Sequence, residues 1–308
     1  MFNWGILISS FVLAITGSHA SASTDPERFT LENKSGLREF YLYSPSAKPR
    51  GLVVMLHGCK TTALEFNEGT EMSKYGEAHN LAVLYPEQNV FYNYDRCWNW
   101  FWGTESEIIA EGIRTVQMRY GLKRENTYLM GMSAGAAQGA IMANEHRDLF
   151  KAALLHSGLQ YLAATNLNDA QASLEHGSFT PFDKAARIGF QRNQSLEPVR
   201  FMVVYGDQDV RVNPKNSLQT GQQLLALNQL IARYSQRPGL IDIRKSTNPA
   251  MKPMLSSAET SIFMDGTQIG SIFLINGLAH EWSGGNPVQP RNNPYGPKVV
   301  EKFFSLFK

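Results

Sequence analysis

The chain has 308 residues, a formal net charge of +2 and 43% hydrophobic residues. Its basic residues are dispersed, which argues against a nucleic-acid partner or an electrostatically held membrane surface. The apolar content, with 17 Phe and 12 Tyr, suffices for a large core, and the length is ordinary for a single α/β domain.

Residues Phe2 to Thr16 are apolar or small, and Gly17-Ser18-His19-Ala20-Ser21-Ala22 supplies small residues for cleavage. A signal peptide is therefore expected over 1–22, followed by one catalytic domain over 23–308 and export to periplasm or medium. The apolar run of about 13 to 15 residues falls short of the roughly 20 that span a bilayer, so no membrane span is expected. No cysteine precedes Cys59, which excludes lipoprotein processing. Further on, Arg38 to Tyr43 alternates as an early edge-type strand, and Gly51 to Leu56 is the continuous apolar run of a central parallel strand. Leu81 to Tyr85 is a second buried strand, ended by Pro86. Ser106 to Tyr120 places Ile109, Ile113, Val116 and Tyr120 at helical spacing.

A short strand, Tyr128 to Met130, then enters Gly131-Met132-Ser133-Ala134-Gly135, and a small-residue helix follows. Strand, G-x-S-x-G and helix together describe a nucleophile elbow, in which two glycines permit a sharp turn beneath an exposed serine hydroxyl. Ala152 to Leu155, Val199 to Tyr205 and Ser271 to Asn276 are further strands. Gln160 to Pro198 reads as polar and irregular, and Arg233 to Gln268 mixes Pro, Ser and Thr with weak strands. Both are expected to cover the strand ends as pocket walls.

A serine needs a base, and the base an orienting acid. In an α/β-hydrolase the chain order is Ser, Asp or Glu, then His. After Ser133 and its helix come His156, at the end of a strand and suited to burial; His176, in a polar stretch and exposed; and His280, in a loop after an apolar strand. His280 is the expected base. For the acid, Asp207 and Asp209 compete in the loop after Tyr205; Asp207 suits a loop cap, and Asp209 is preferred. The expected oxyanion donors are the N–H groups of Ala134 and Cys59, with His57 fixing the loop between them.

Leu56-His57-Gly58-Cys59, Tyr85-Pro86-Glu87-Gln88, Arg96-Cys97-Trp98-Asn99-Trp100-Phe101, the serine motif, Gly206-Asp207-Gln208-Asp209-Val210 and Gly277-Leu278-Ala279-His280-Glu281-Trp282-Ser283-Gly284-Gly285 occur in this order. Together they resemble successive motifs of the extracellular polyhydroxybutyrate depolymerase family of esterases, over about residues 36 to 307. The resemblance implies an α/β-hydrolase fold and a Ser133, Asp209, His280 triad. It also implies a polyester or small-ester substrate of the poly- or oligo(3-hydroxyalkanoate) class, and no cofactor. Thr61 stands where the family often has Gln, and Glu281 follows the histidine; both bear on the acyl pocket and not on the triad. In an oxidising compartment Cys59 and Cys97 can pair, and the resemblance points the same way; two free buried thiols are the alternative. Two cysteines without a His/Asp set make no metal site. Trp98, Trp100 and Trp282 are candidates for substrate-binding walls, or for core packing around the disulfide. A feruloyl or acetylxylan esterase is the nearest alternative, and a catalytically silent secreted binding protein a more distant one. Because the chain ends at the catalytic domain, activity on soluble oligomers, amorphous polymer or small esters is expected rather than on crystalline polymer.

Overall fold

A computed structural model describes residues 25–102 and 105–307; the expected signal peptide lies outside the described residues. The chain begins with β1 (Glu27–Asn33), β2 (Gly36–Tyr43), β3 (Gly51–Leu56), α1 (Ala63–Thr70), α2 (Met72–His79) and β4 (Leu81–Glu87). Next come α3 (Ser106–Tyr120), β5 (Thr127–Met132), α4 (Ala134–Glu145), β6 (Ala152–His156), α5 (Leu167–His176), α6 (Phe182–Arg192) and β7 (Arg200–Gly206). The last part holds α7 (Pro214–Tyr234), β8 (Ile241–Asn248), β9 (Ser257–Met264), β10 (Thr267–Ile275), the two-residue strands β11 (Trp282–Ser283) and β12 (Asn292–Asn293), and α8 (Val299–Phe307).

One sheet runs in the order β1-β2-β4-β3-β5-β6-β7-β10-β9-β8. The six strands from β4 to β10 are parallel to their neighbours. Antiparallel pairs widen both edges. The central strands are covered on both faces, and every residue of β3, β5 and β6 is buried, which is why they read as unbroken apolar runs. Successive β3 side chains enter opposite cores: Leu52, Val54 and Leu56 meet the layer containing Ile109 and Leu224. Val53 and Met55 meet the one containing Phe303 and Trp282.

Three expectations need correction. Pro86 does not end β4: the ladder with β3 stops at Val54 opposite Leu84, and β4 continues paired only to β2, with Pro86 opposite Phe40. Residues 160–198 are not irregular but carry α5 and α6. They do lie against α4, with Ala163 on Ala137, and Tyr161 and Ala185 on Ile141. Residues 233–268 do not wall the strand ends. They mostly form β8 and β9, which extend the sheet sideways, and only the turn over 249–256 reaches the end of β10, where Ser257 opposes Ile275.

Candidate active site

Ser133 stands between β5 and α4 with φ 57° and ψ −123°, a conformation that costs an L-residue roughly 1–3 kcal/mol. The two motif glycines make the turn possible. A Cβ on Gly131 would meet the Gly135 carbonyl oxygen at 2.4 Å, and one on Gly135 would meet that of Leu56 at 2.0 Å. The Ser133 N–H donates to the His156 carbonyl (2.9 Å), pinning the turn to β6. The serine side chain lies over Gly58, where an added Cβ would come within 3.3 Å of the Ser133 Cβ.

The loops after β7 and β10 meet because these strands are parallel neighbours, with Gly206 opposite Ile275. A Cβ on Gly206 would strike the Leu278 carbonyl oxygen at 1.9 Å, so only glycine allows this approach. Asp207 Oδ1 accepts the Gly277 N–H (2.6 Å) and so caps the joint. Asp209 Oδ2 accepts from His280 Nδ1 (2.8 Å), while its Oδ1 accepts the N–H groups of Arg211 (3.0 Å) and Val212 (2.9 Å). Burial alone would raise the Asp209 pKa, but the His280 contact and the two N–H groups outweigh it and hold the carboxyl below its ordinary value. An ionised Asp209 fixes the proton on Nδ1 and leaves Nε2 free to accept one. No hydrogen bond joins Ser133 Oγ to the imidazole among the described residues; in unliganded sites such contacts commonly tighten only with substrate bound.

Opposite this pair, the loop after β3 is held from several directions. Cys59 and Cys97 form a disulfide with Cα atoms 4.2 Å apart. His57 is fully buried, and burial lowers its pKa to about 4. Its Nε2 accepts the Gln88 N–H (3.0 Å), so the ring proton sits on Nδ1 and is donated to the Gly58 carbonyl (2.8 Å). The Trp98 indole N–H donates to the His57 carbonyl (3.0 Å). Beneath them the buried Glu105 carboxylate accepts from Arg38, Gln88 and both the backbone and side-chain nitrogens of Asn99. Arg291, beyond the histidine loop, donates to the carbonyls of Cys59 (2.9 Å) and Lys60 (3.2 Å). Neither the Cys59 nor the Ala134 N–H has an acceptor among the described residues. Both are thus free to meet an incoming oxygen, Ala134 at the positive end of α4.

Trp98 and Trp282, considered above as substrate walls, are interior side chains. They are 0% and 1% exposed, Trp98 bonded to His57 and Trp282 packed on Phe66 and His156. Trp100 is half-buried and touches the clusters built on Ala137 and Ile141 of the serine helix. His156 is buried with Nδ1 3.1 Å from Ser157 Oγ, and His176 is exposed. Glu105 and Arg291 escaped the sequence reading: Glu105 resembles any acid ahead of a helix, and nothing local ties Arg291 to a loop 232 residues away. Among the described residues no helix is long and apolar enough to cross a membrane.

The family model for esterase PHB depolymerase matches residues 39–245. The poly(3-hydroxyalkanoate) depolymerase C of Paucimonas lemoignei is 26% identical over 92% of this chain and 67% of its own length. A probable acetylxylan esterase A of Aspergillus clavatus is 25% identical over 58% of this chain and 63% of its own. Thus the chain spans about two thirds of the length of these relatives. Among solved structures, an acetyl xylan esterase from Aspergillus awamori superposes with a TM-score of 0.67 at 20% identity, covering 91% of this chain and 98% of that one. With the serine turn, the Asp–His pair and the parallel sheet in view, the chain belongs to the esterase PHB depolymerase family and is an esterase of the α/β-hydrolase superfamily.

Proposed function

We propose that the protein is an exported serine esterase that cleaves poly- or oligo(3-hydroxyalkanoates) through an acyl-enzyme. The observation that carries the reading is the His280–Asp209 pair at 2.8 Å, in a chain whose serine occupies a strained elbow. Ser133 Oγ attacks the ester carbonyl as His280 Nε2 takes its proton, and Asp209 stabilises the imidazolium. The N–H groups of Cys59 and Ala134 receive the oxyanion, a contribution of a few kcal/mol each. His280 then protonates the departing alcohol, and a water deprotonated by the same ring releases the acyl group. Trp100, half-buried beside Ala137, serves as a wall of the acyl pocket. In this reading residues 1–22 are removed on export and residues 23–308 form the catalytic domain; the disulfide supports passage through an oxidising compartment.

A second reading, hydrolysis of acetyl groups on plant cell-wall polysaccharide, is favoured by the acetylxylan esterase relatives. Hydroxybutyrate oligomers, acetylated xylan and methyl ferulate, tested together on wild type and Ser133→Ala, separate the readings. The proposal expects oligomer turnover at least tenfold above that of acetylxylan and its loss in Ser133→Ala. A fluorophosphonate probe should label Ser133, and failure to label would point to a silent fold.

A further inference from the structure

Arg291 sits where no motif of the family reading placed a functional side chain. Its Nη1 donates to two carbonyls of the oxyanion loop, those of Cys59 and Lys60. The residue whose carbonyl it touches is the one whose N–H faces the candidate oxyanion. The Arg291 backbone is left-handed, with φ 69°, an unfavourable state for a non-glycine residue and one that recurs where a side chain is aimed for function. The side chain is exposed, and no carboxylate lies within ion-pairing distance of it among the described residues. The nearby acids are engaged elsewhere: Glu281 accepts from Asn293 (2.9 Å), and Asp95 pairs with Lys60 (3.8 Å). The guanidinium thus presents its remaining N–H groups, in a fixed fork, beside the loop that carries Cys59.

We infer that Arg291 is a specificity-determining residue that binds a carboxylate on the alcohol side of the scissile ester, so that the enzyme prefers substrates ending in a free hydroxy acid. The inference rests on the hydroxyalkanoate reading for its natural substrate but not for its test. In a short oligo(3-hydroxyalkanoate) the acyl end carries a hydroxyl and the alcohol end a carboxylate. In the last unit that carboxylate lies three bonds from the cleaved oxygen, within the compass of a group braced on Cys59. A guanidinium pairs with a carboxylate through two parallel N–H donors, which selects an acid over its neutral ester.

The test compares 3-acetoxybutyrate with methyl 3-acetoxybutyrate, two acetyl esters that differ only in that carboxylate. Water adds across the acetyl ester in each case, giving acetate and the hydroxy acid or its methyl ester. Wild-type kcat/KM should favour the acid by roughly five- to tenfold. That preference should shrink at about 1 M salt, where screening acts within roughly 3 Å. Arg291→Gln should bring the ratio near one, its loss on the acid exceeding its loss on the methyl ester by about five- to tenfold, and Arg291→Lys should retain part of the preference. Equal losses on both substrates would make Arg291 only a brace for the oxyanion loop and overturn the inference. So would a wild type with no preference, or with no turnover of either ester. If hydroxybutyrate oligomers are not cleaved but the acid preference stands, the proposed function fails and this inference survives.

Discussion

On one side of Ser133 the loop after β3 and the stretch from Cys97 to Asn99 are tied by a disulfide, an indole hydrogen bond and a buried carboxylate that accepts four times. On the other side, the loops bearing Asp209 and His280 are joined by no covalent bond. They meet through one aspartate cap, a hydrogen bond from the Gln208 N–H to the Leu278 carbonyl (3.1 Å), one glycine contact and the Asp–His hydrogen bond itself. The difference matches what each wall would do in the proposed mechanism. Donors that stabilise a developing oxyanion work best when they need not reorganise, whereas an imidazole has to serve first the serine and then the leaving group. One wall is fixed by many redundant contacts, the other by a few that each matter.

The sharpest way to break this comparison is at the sparse wall. Asp209→Asn should lower kcat on the order of 10³- to 10⁴-fold, because the amide no longer fixes the tautomer, with only a modest change in the urea midpoint. A loss below tenfold would show that another group orients His280. At the redundant wall, Cys59→Ser with Cys97→Ser should remove roughly 4 kcal/mol of unfolding free energy on the chain-entropy account of a 38-residue separation. Its kcat should fall less than that of Asp209→Asn, since the other ties persist; stopped-turnover assays of the two variants give the ranking.

Acid separates the walls more gently. Burial lowers His57 to about 4; burial, and then His280, lower His156 to about 3. Both lie below the unfolded value of about 6.5, so the unfolded chain binds the extra protons. Stability is therefore full above that value and is lost as pH falls through it toward 4, by up to roughly 3 kcal/mol for His57. Asp209, held low, loses its contribution as pH falls through the ordinary carboxylate range and below it, and Glu87, raised by burial, acts in the opposite sense there. Urea midpoints from pH 7 to 4.5 should decline, and His156→Gln should flatten the slope. An unchanged slope in that variant would assign the decline elsewhere. The smallest effect is expected from Trp98→Phe, about 1 kcal/mol for the lost indole hydrogen bond. A change in substrate preference without loss of stability would put Trp98 back among the pocket walls.

Much of this was legible in the sequence where pattern and physics coincide. The α3 periodicity gives its limits because Ile109, Ile113 and Val116 are large, buried and regularly spaced. β3 could be read for the same reason. The helices over 160–198 hide because α5 buries only Ala170 and Ser173, too little apolar contrast to show a face. The strand character of β8 is equally faint: all but its first residue are exposed, so no alternation marks one side. Tryptophan beside a catalytic motif carries no sign of whether it faces in or out, and here Trp98 and Trp282 face in. Asp209 could be preferred to Asp207 from spacing, but the tie of the oxyanion loop to Arg291 had no local signature.

That tie has a consequence for when the site comes into being. Its two ends are 232 residues apart, and Asp209 meets its histidine across 71. Contacts of such separation are assembled late, after the loop entropy between them has been overcome. A growing chain holds the serine turn and the oxyanion loop well before β10 can dock and deliver His280. Until then, in the proposed mechanism, it carries the nucleophile without its base, so hydrolytic competence and completion of the sheet would arrive as one event.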